Sequence, residues 1–157
     1  LGEEFFASVL PEKFTSTTAR TAPYLAYLAA QTASGTLSLY SGENTVGGLY
    51  AAKAEAYQIL PKAYLEKCGF KTKETYGQVA NLTYISKDVK AIVRRKSPAN
   101  YREELEKQLS AEEIQASLAA NDIPENIFDA DTGSVPEILA ERRRKMARKI
   151  QNHYYSL

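Results

Sequence analysis

The chain is poor in the residues that build most reactive centres. Of its 157 residues, one is cysteine (Cys68) and one is histidine (His153). A single thiol excludes a disulfide framework and any multi-thiolate zinc site. A single imidazole excludes two-histidine metal sites and leaves one candidate for histidine-dependent chemistry. Eight glycines and six prolines are too few for a collagen-like or low-complexity chain. No apolar run approaches the roughly 18 residues of a membrane span, and the longest candidate is Pro23 to Ala30. No basic-then-apolar leader opens the chain, so the expectation is a cytoplasmic protein with no membrane partner. The chain begins at Leu1 without a Met, which reads as a piece of a longer protein. Glycine-rich phosphate loops, G-x-S-x-G, H-E-x-x-H and EF-hand patterns are also missing.

What is present suits one soluble-type domain spanning residues 1–157. Apolar residues make up 44% and charged residues 25%, close to globular averages. The net charge of +1 hides a segregation. Residues 1–60 carry three basic and five acidic groups, and residues 101–157 carry eight and eleven. Residues 61–100 carry nine basic and three acidic groups, net +6. Such a basic block is either a phosphate footprint or a solvated lysine-rich face.

Local signals predict mainly helix. Thr21 is placed to cap a helix through Pro23–Ala30 and Gly35 to end it. Leu37 to Tyr40 reads as a short extended piece turned at residues 41–44. Gly47-Gly48 reads as a break, and one small hairpin is the most expected near residues 37–58. Pro61 opens a short helix that Gly69 stops. Residues 76–86 read as a buried connection. Ser86, Ser97 and Ser110 each cap a helix, the last through the capping box Ser110-Ala-Glu-Glu113, with Asn121 in the left-handed position after it. Ser134-Val-Pro-Glu137 matches a second capping box. The final helix shows a stripe of Leu139, Met146, Ile150 and Tyr154. Residues 122–135 form a linker that Ile123, Ile127 and Phe128 should pack on the body. Cys68 reads as a buried small side chain and His153 as a surface or partly packed helix residue.

Four blocks, in order, resemble the C-terminal HNH nuclease domain of the GmrSD-like restriction endonucleases, phage-defence proteins that act on foreign or modified DNA. The first is Ser38-Leu39-Tyr40-Ser41-Gly42-Glu43. The second is Tyr57-Gln58-Ile59-Leu60-Pro61-Lys62-Ala63-Tyr64-Leu65. The third joins Val79-Ala80-Asn81-Leu82-Thr83-Tyr84-Ile85-Ser86-Lys87 to Lys96-Ser97-Pro98-Ala99-Asn100-Tyr101. The fourth is Ile123-Pro124 followed by Ile138-Leu139-Ala140-Glu141-Arg142-Arg143. The resemblance implies an α+β, mainly helical fold with a small ββα-metal-like element carrying residues about 37–68. It places an HNH-like core at about 37–101 and C-terminal helices at about 102–157. It also implies a nucleotide-dependent, ParB-like N-terminal domain of the same protein as a partner.

The departures from the family pattern fall on the chemistry. In HNH nucleases a histidine activates water, and a neighbouring residue helps hold a divalent cation. The family's histidine pair falls on Tyr57 and Gln58, and its Asn falls on Lys90. A phenol is a poor base at neutral pH, an amide does not titrate, and an ammonium repels a metal ion. The expected domain therefore has no catalytic residue, no metal and no cofactor of its own. It would position DNA or a partner domain, with Lys87, Lys90, Arg94, Arg95 and Lys96 contacting phosphates. Two alternatives stand beside it. One is an active metal-dependent endonuclease using His153, or carboxylates such as Glu55 and Asp88. The other is a helical protein-interaction module, marked by an exposed apolar patch. The last helix adds Arg142, Arg143, Arg144, Lys145, Arg148 and Lys149, expected to be partly solvated and partly paired with Glu137 and Glu141. Tyr154 and Tyr155 are the aromatics placed to stack on a single strand.

Overall fold

Short polar caps divide the chain into nine helices and two three-residue strands in the computed structural model, which describes residues 1–157. A π-helical turn, Phe5–Val9, runs into α1 (Leu10–Lys13), and α2 follows at Ala22–Ala33. Then come α3 (Val46–Ala51), β1 (Ala56–Gln58), α4 (Lys62–Lys67) and α5 (Lys73–Tyr76). A 3-10 turn, Val79–Asn81, leads into β2 (Leu82–Tyr84), followed by α6 (Lys87–Val93), α7 (Pro98–Leu105) and α8 (Ala111–Ala120). A second 3-10 turn, Glu125–Asp129, precedes the long α9 (Val135–Ser156). The fold is α+β and mainly helical. None of its helices is long and apolar enough to cross a membrane.

Most helix ends follow local chemistry. The hydroxyls of Ser86, Ser97 and Ser110 accept from the third amide of α6, α7 and α8. Glu113 closes the capping box by accepting from Ser110 N at 3.0 Å. Gly35 takes φ 62° after α2, with Thr36 N bonding back to Gln31 O, a Schellman ending. Three ends differ from expectation. Thr21 precedes α2 but its hydroxyl is buried without a partner, so it caps by position only. The left-handed residue after α8 is Asp122 (φ 59°), not Asn121. At α9 the capping box lies three residues early: Asp131 Oδ1 accepts from Ser134 N, and Ser134 Oγ accepts from Asp131 N. Glu137 is left to pair with Arg144.

The sheet corrects the expected hairpin. Residues 37–45 make one isolated bridge, Leu37 to Thr45, and no strand. Gly47 and Gly48 lie inside α3 rather than breaking the chain. A Cβ on Gly47 would stand 2.9 Å from Thr32 Cγ2, so glycine is what lets α3 lie against α2. β1 pairs antiparallel with β2, which arises from the stretch read as a connection, in the register Ala56–Tyr84, Tyr57–Thr83 and Gln58–Leu82. α6 follows β2 directly, so β1, β2 and α6 form a ββα unit. Asn81, fully buried, locks it: Oδ1 accepts from Leu60 N (2.9 Å), and Nδ2 donates to Leu60 O and Tyr76 O.

Two apolar clusters flank this unit. One gathers Leu39, Tyr40, Ile59, Leu60 and Leu65 with α6, α7, α8 and the linker residues Ile123, Ile127 and Phe128. The other gathers Phe6, Leu10, Phe14, Tyr24, Tyr27, Met146 and Ala147 with Val79, Ala80 and Tyr84. α9 contributes to both clusters, through Ile138 and Leu139 and then through Met146 and Ala147. Arg142 sits between these pairs and is 2% exposed. Its guanidinium donates to Ala80 O, Leu82 O and Asn121 O, which contradicts its reading as a surface cation. Tyr154, on the same stripe of α9 as Leu139 and Met146, is exposed, and Cys68, expected to be buried, is half-buried.

Candidate functional site

The β1–β2 pairing brings together residues far apart in the chain. Tyr57 and Gln58 end β1, Lys62 opens α4, and Lys90, Arg94 and Arg95 come from α6 and its exit. With Pro61, Ala63 and Glu66 they line one open cleft of about 520 Å³. Lys90 and Arg94 are four residues apart on α6 and so share a face. Arg95 adopts φ 64°, a left-handed conformation that costs a non-glycine residue on the order of 1 kcal/mol. That turn ends α6 and leaves both consecutive arginines in the cleft wall.

The electrostatics are lopsided. Four cations, Lys62, Lys90, Arg94 and Arg95, face one carboxylate, Glu66. None of the four takes part in a salt bridge. Lys90 Nζ stands 5.1 Å from the centre of the Tyr57 ring, and Lys62 Nζ stands 4.8 Å from that of Tyr76. Gln58 is structural, because its Oε1 accepts from Lys62 N at 3.0 Å and so satisfies a free amide of α4. Chemically, the cleft can hold an anion and a flat ring. Glu66 is the one group in it able to act as a carboxylate base.

The sequence-predicted residues divide accordingly. Lys90, Arg94 and Arg95 line the cleft. Lys87 is exposed on α6 and Lys96 half-buried beyond it, and neither lines it. Lys62 was not among the expected contacts, although its place in the Pro-Lys block marked it. His153 lines a separate polar recess with Ser34, Asp122 and Lys149. Glu55 is exposed, and Asp88 borders another recess with Ser41 and Glu43. No three His, Cys, Asp or Glu side chains are grouped so as to hold a metal ion. On α9, Arg144 pairs with Glu137 and Glu141, and Arg143 donates to Gln78 Oε1. Tyr154 and Tyr155 pack on each other and on Phe6. The aromatics beside the free cations are Tyr57 and Tyr76.

The fold and cleft thus define a mainly helical α+β domain with a cation-rich ββα cleft. No protein-family model matches the chain, no curated protein matches it, and no solved structure matches it.

Proposed function

We infer that the chain is a degenerate HNH-like domain of a restriction or phage-defence type protein, one that holds DNA at the ββα cleft and does no nuclease chemistry itself. One observation carries this reading. The positions that the resemblance assigns to the nuclease centre, Tyr57, Gln58 and Lys90, share one cleft with three further cations. Each of the three makes a contact within the fold there. Gln58 caps α4, Lys90 covers the Tyr57 ring, and Tyr57 packs against the apolar cluster beneath. An ammonium where a metal would sit neutralises a phosphate without activating water. The reading carries with it a cytoplasmic setting and a ParB-like N-terminal domain in the same protein.

Duplex binding as a function of salt tests it. Four phosphate contacts give a log–log slope of about −3.6, at roughly 0.9 per contact. Replacing Lys90, Arg94 and Arg95 with Ala should reduce it to about −1. No binding at about 50 mM salt, or a slope that the triple change leaves alone, would refute the reading.

A further inference from the structure

We propose that the cleft takes a single strand of nucleic acid in preference to duplex, with one base seated on Tyr57 and the neighbouring phosphates on Lys62, Lys90, Arg94 and Arg95. This rests on the phosphate-binding reading above and adds to it the form of the ligand and the residue that selects it.

The shape of the site carries the first part of the argument. The cations line a recess of about 520 Å³, and Tyr57 is half-buried within its wall. A duplex presents its phosphates on a convex cylinder and keeps its bases stacked inside. Proteins that read it insert a protruding helix or ribbon into a groove about 12 Å wide. A recessed ring is reached only by a base that is already unpaired.

The arrangement of charge carries the second. Cations from two elements share the cleft with the aromatic ring: Lys62 from α4, and Lys90 and Arg94 from α6, with Arg95 on the turn that follows. Their freedom from carboxylate partners leaves them available to successive phosphates along a backbone. An aromatic platform bordered by unpaired cations is the grip that sequence-tolerant single-strand binders use, because every base has a π-face. The Lys90 ammonium already occupies the ring face, held by the ring's quadrupole. A base that stacks there displaces it toward the strand's phosphate, so ring and charge are both satisfied.

The decisive experiment measures fluorescence anisotropy of the 157-residue chain with a labelled oligothymidine of roughly 12 nucleotides and with a duplex of the same length. Both are measured in EDTA at about 50 mM salt. The single strand should bind about tenfold more tightly than the duplex. Tyr57→Ala should lose about tenfold on the single strand and leave the duplex unmoved, while Tyr57→Phe keeps the preference. A 5-iodouracil oligomer, photo-crosslinked to the unaltered chain, should map to the peptide containing Tyr57. Equal affinity for both forms, or crosslinks only elsewhere, would overturn the proposal and leave the phosphate-binding reading standing. Failure of both forms to bind would overturn this proposal and the phosphate-binding reading together.

Discussion

Arg142 and Arg144 are two residues apart and alike in sequence, yet their energetics differ because one is buried and the other is wet. Arg142 saturates three backbone carbonyls and lies 5.8 Å from the Tyr27 ring centre. Arg142→Ala strands those acceptors and opens a cavity, for a loss of roughly 3 kcal/mol or more. Arg144→Ala removes two exposed ion pairs and should cost about 0.5 kcal/mol. Urea unfolding of the two variants checks the contrast, and equal losses would contradict it. A second comparison concerns Tyr57, Gln58 and Lys90. Calorimetry with magnesium, manganese or zinc should find no saturable site in the unaltered chain. The triple variant Tyr57→His, Gln58→His, Lys90→Asn should still fold, about 1 kcal/mol less stable because the α4 cap is lost. It should also gain a divalent-metal site. A stoichiometric site that includes residue 57 or 58 in the unaltered chain would end the degenerate reading.

α8 and α9 carry the same device in different places. α8 uses Ser110 and Glu113 as their spacing suggests. In α9 the Ser134–Glu137 match is not used, because the chain already turns helically from Asp131, where Val135 N bonds to Asp131 O. The reciprocal bonds therefore join Asp131 and Ser134. Ser110→Ala and Asp131→Ala should each cost about 1 kcal/mol. In a domain of this size that lowers the melting temperature by roughly 2–4 °C. Glu137→Gln should fall well short of that, since Glu137 makes only an exposed ion pair. Thermal melts of the three variants separate these roles, and a Glu137→Gln loss as large as the others would restore the later capping box.

Both apolar clusters are built around buried phenols, and that sets how the whole molecule responds to alkali. Burial raises the pKa of Tyr24, Tyr27, Tyr40 and Tyr101 above the ordinary value near 10, while the Arg142 charge pulls Tyr24 and Tyr27 partly back. A raised folded-state pKa means that the folded chain holds these protons more tightly than the unfolded chain does. Their contribution to stability is complete below the ordinary value. It declines once the unfolded chain begins to ionise and is lost as pH rises through the folded-state values. Above about pH 10 the protein should unfold in one cooperative step, with buried tyrosinate absorbance appearing together with loss of helical dichroism. Ionisation of the four with the helices intact would contradict this.

Features written into neighbouring residues were legible in the chain itself. Ser86, Ser97 and Ser110 each act over three residues, Gly35 and Gly69 each take a left-handed turn, and the apolar linker residues Ile123, Ile127 and Phe128 are buried as their composition implied. The helical bias and the basic block followed from the same short-range information. What depends on contacts across the chain was not legible. The sheet pairs residues 56–58 with 82–84, and a strand of three residues is too short to carry a periodic signal. The burial of Arg142 depends on carbonyls at positions 80, 82 and 121 converging on one point. The cleft likewise exists because Asn81 ties the end of β1 to the start of β2, which sets Tyr57 and Lys62 opposite α6. Spacing along a chain specifies which side chains share a helix turn. Which distant backbone groups satisfy one another is settled by packing, and packing turned scattered cations into one site.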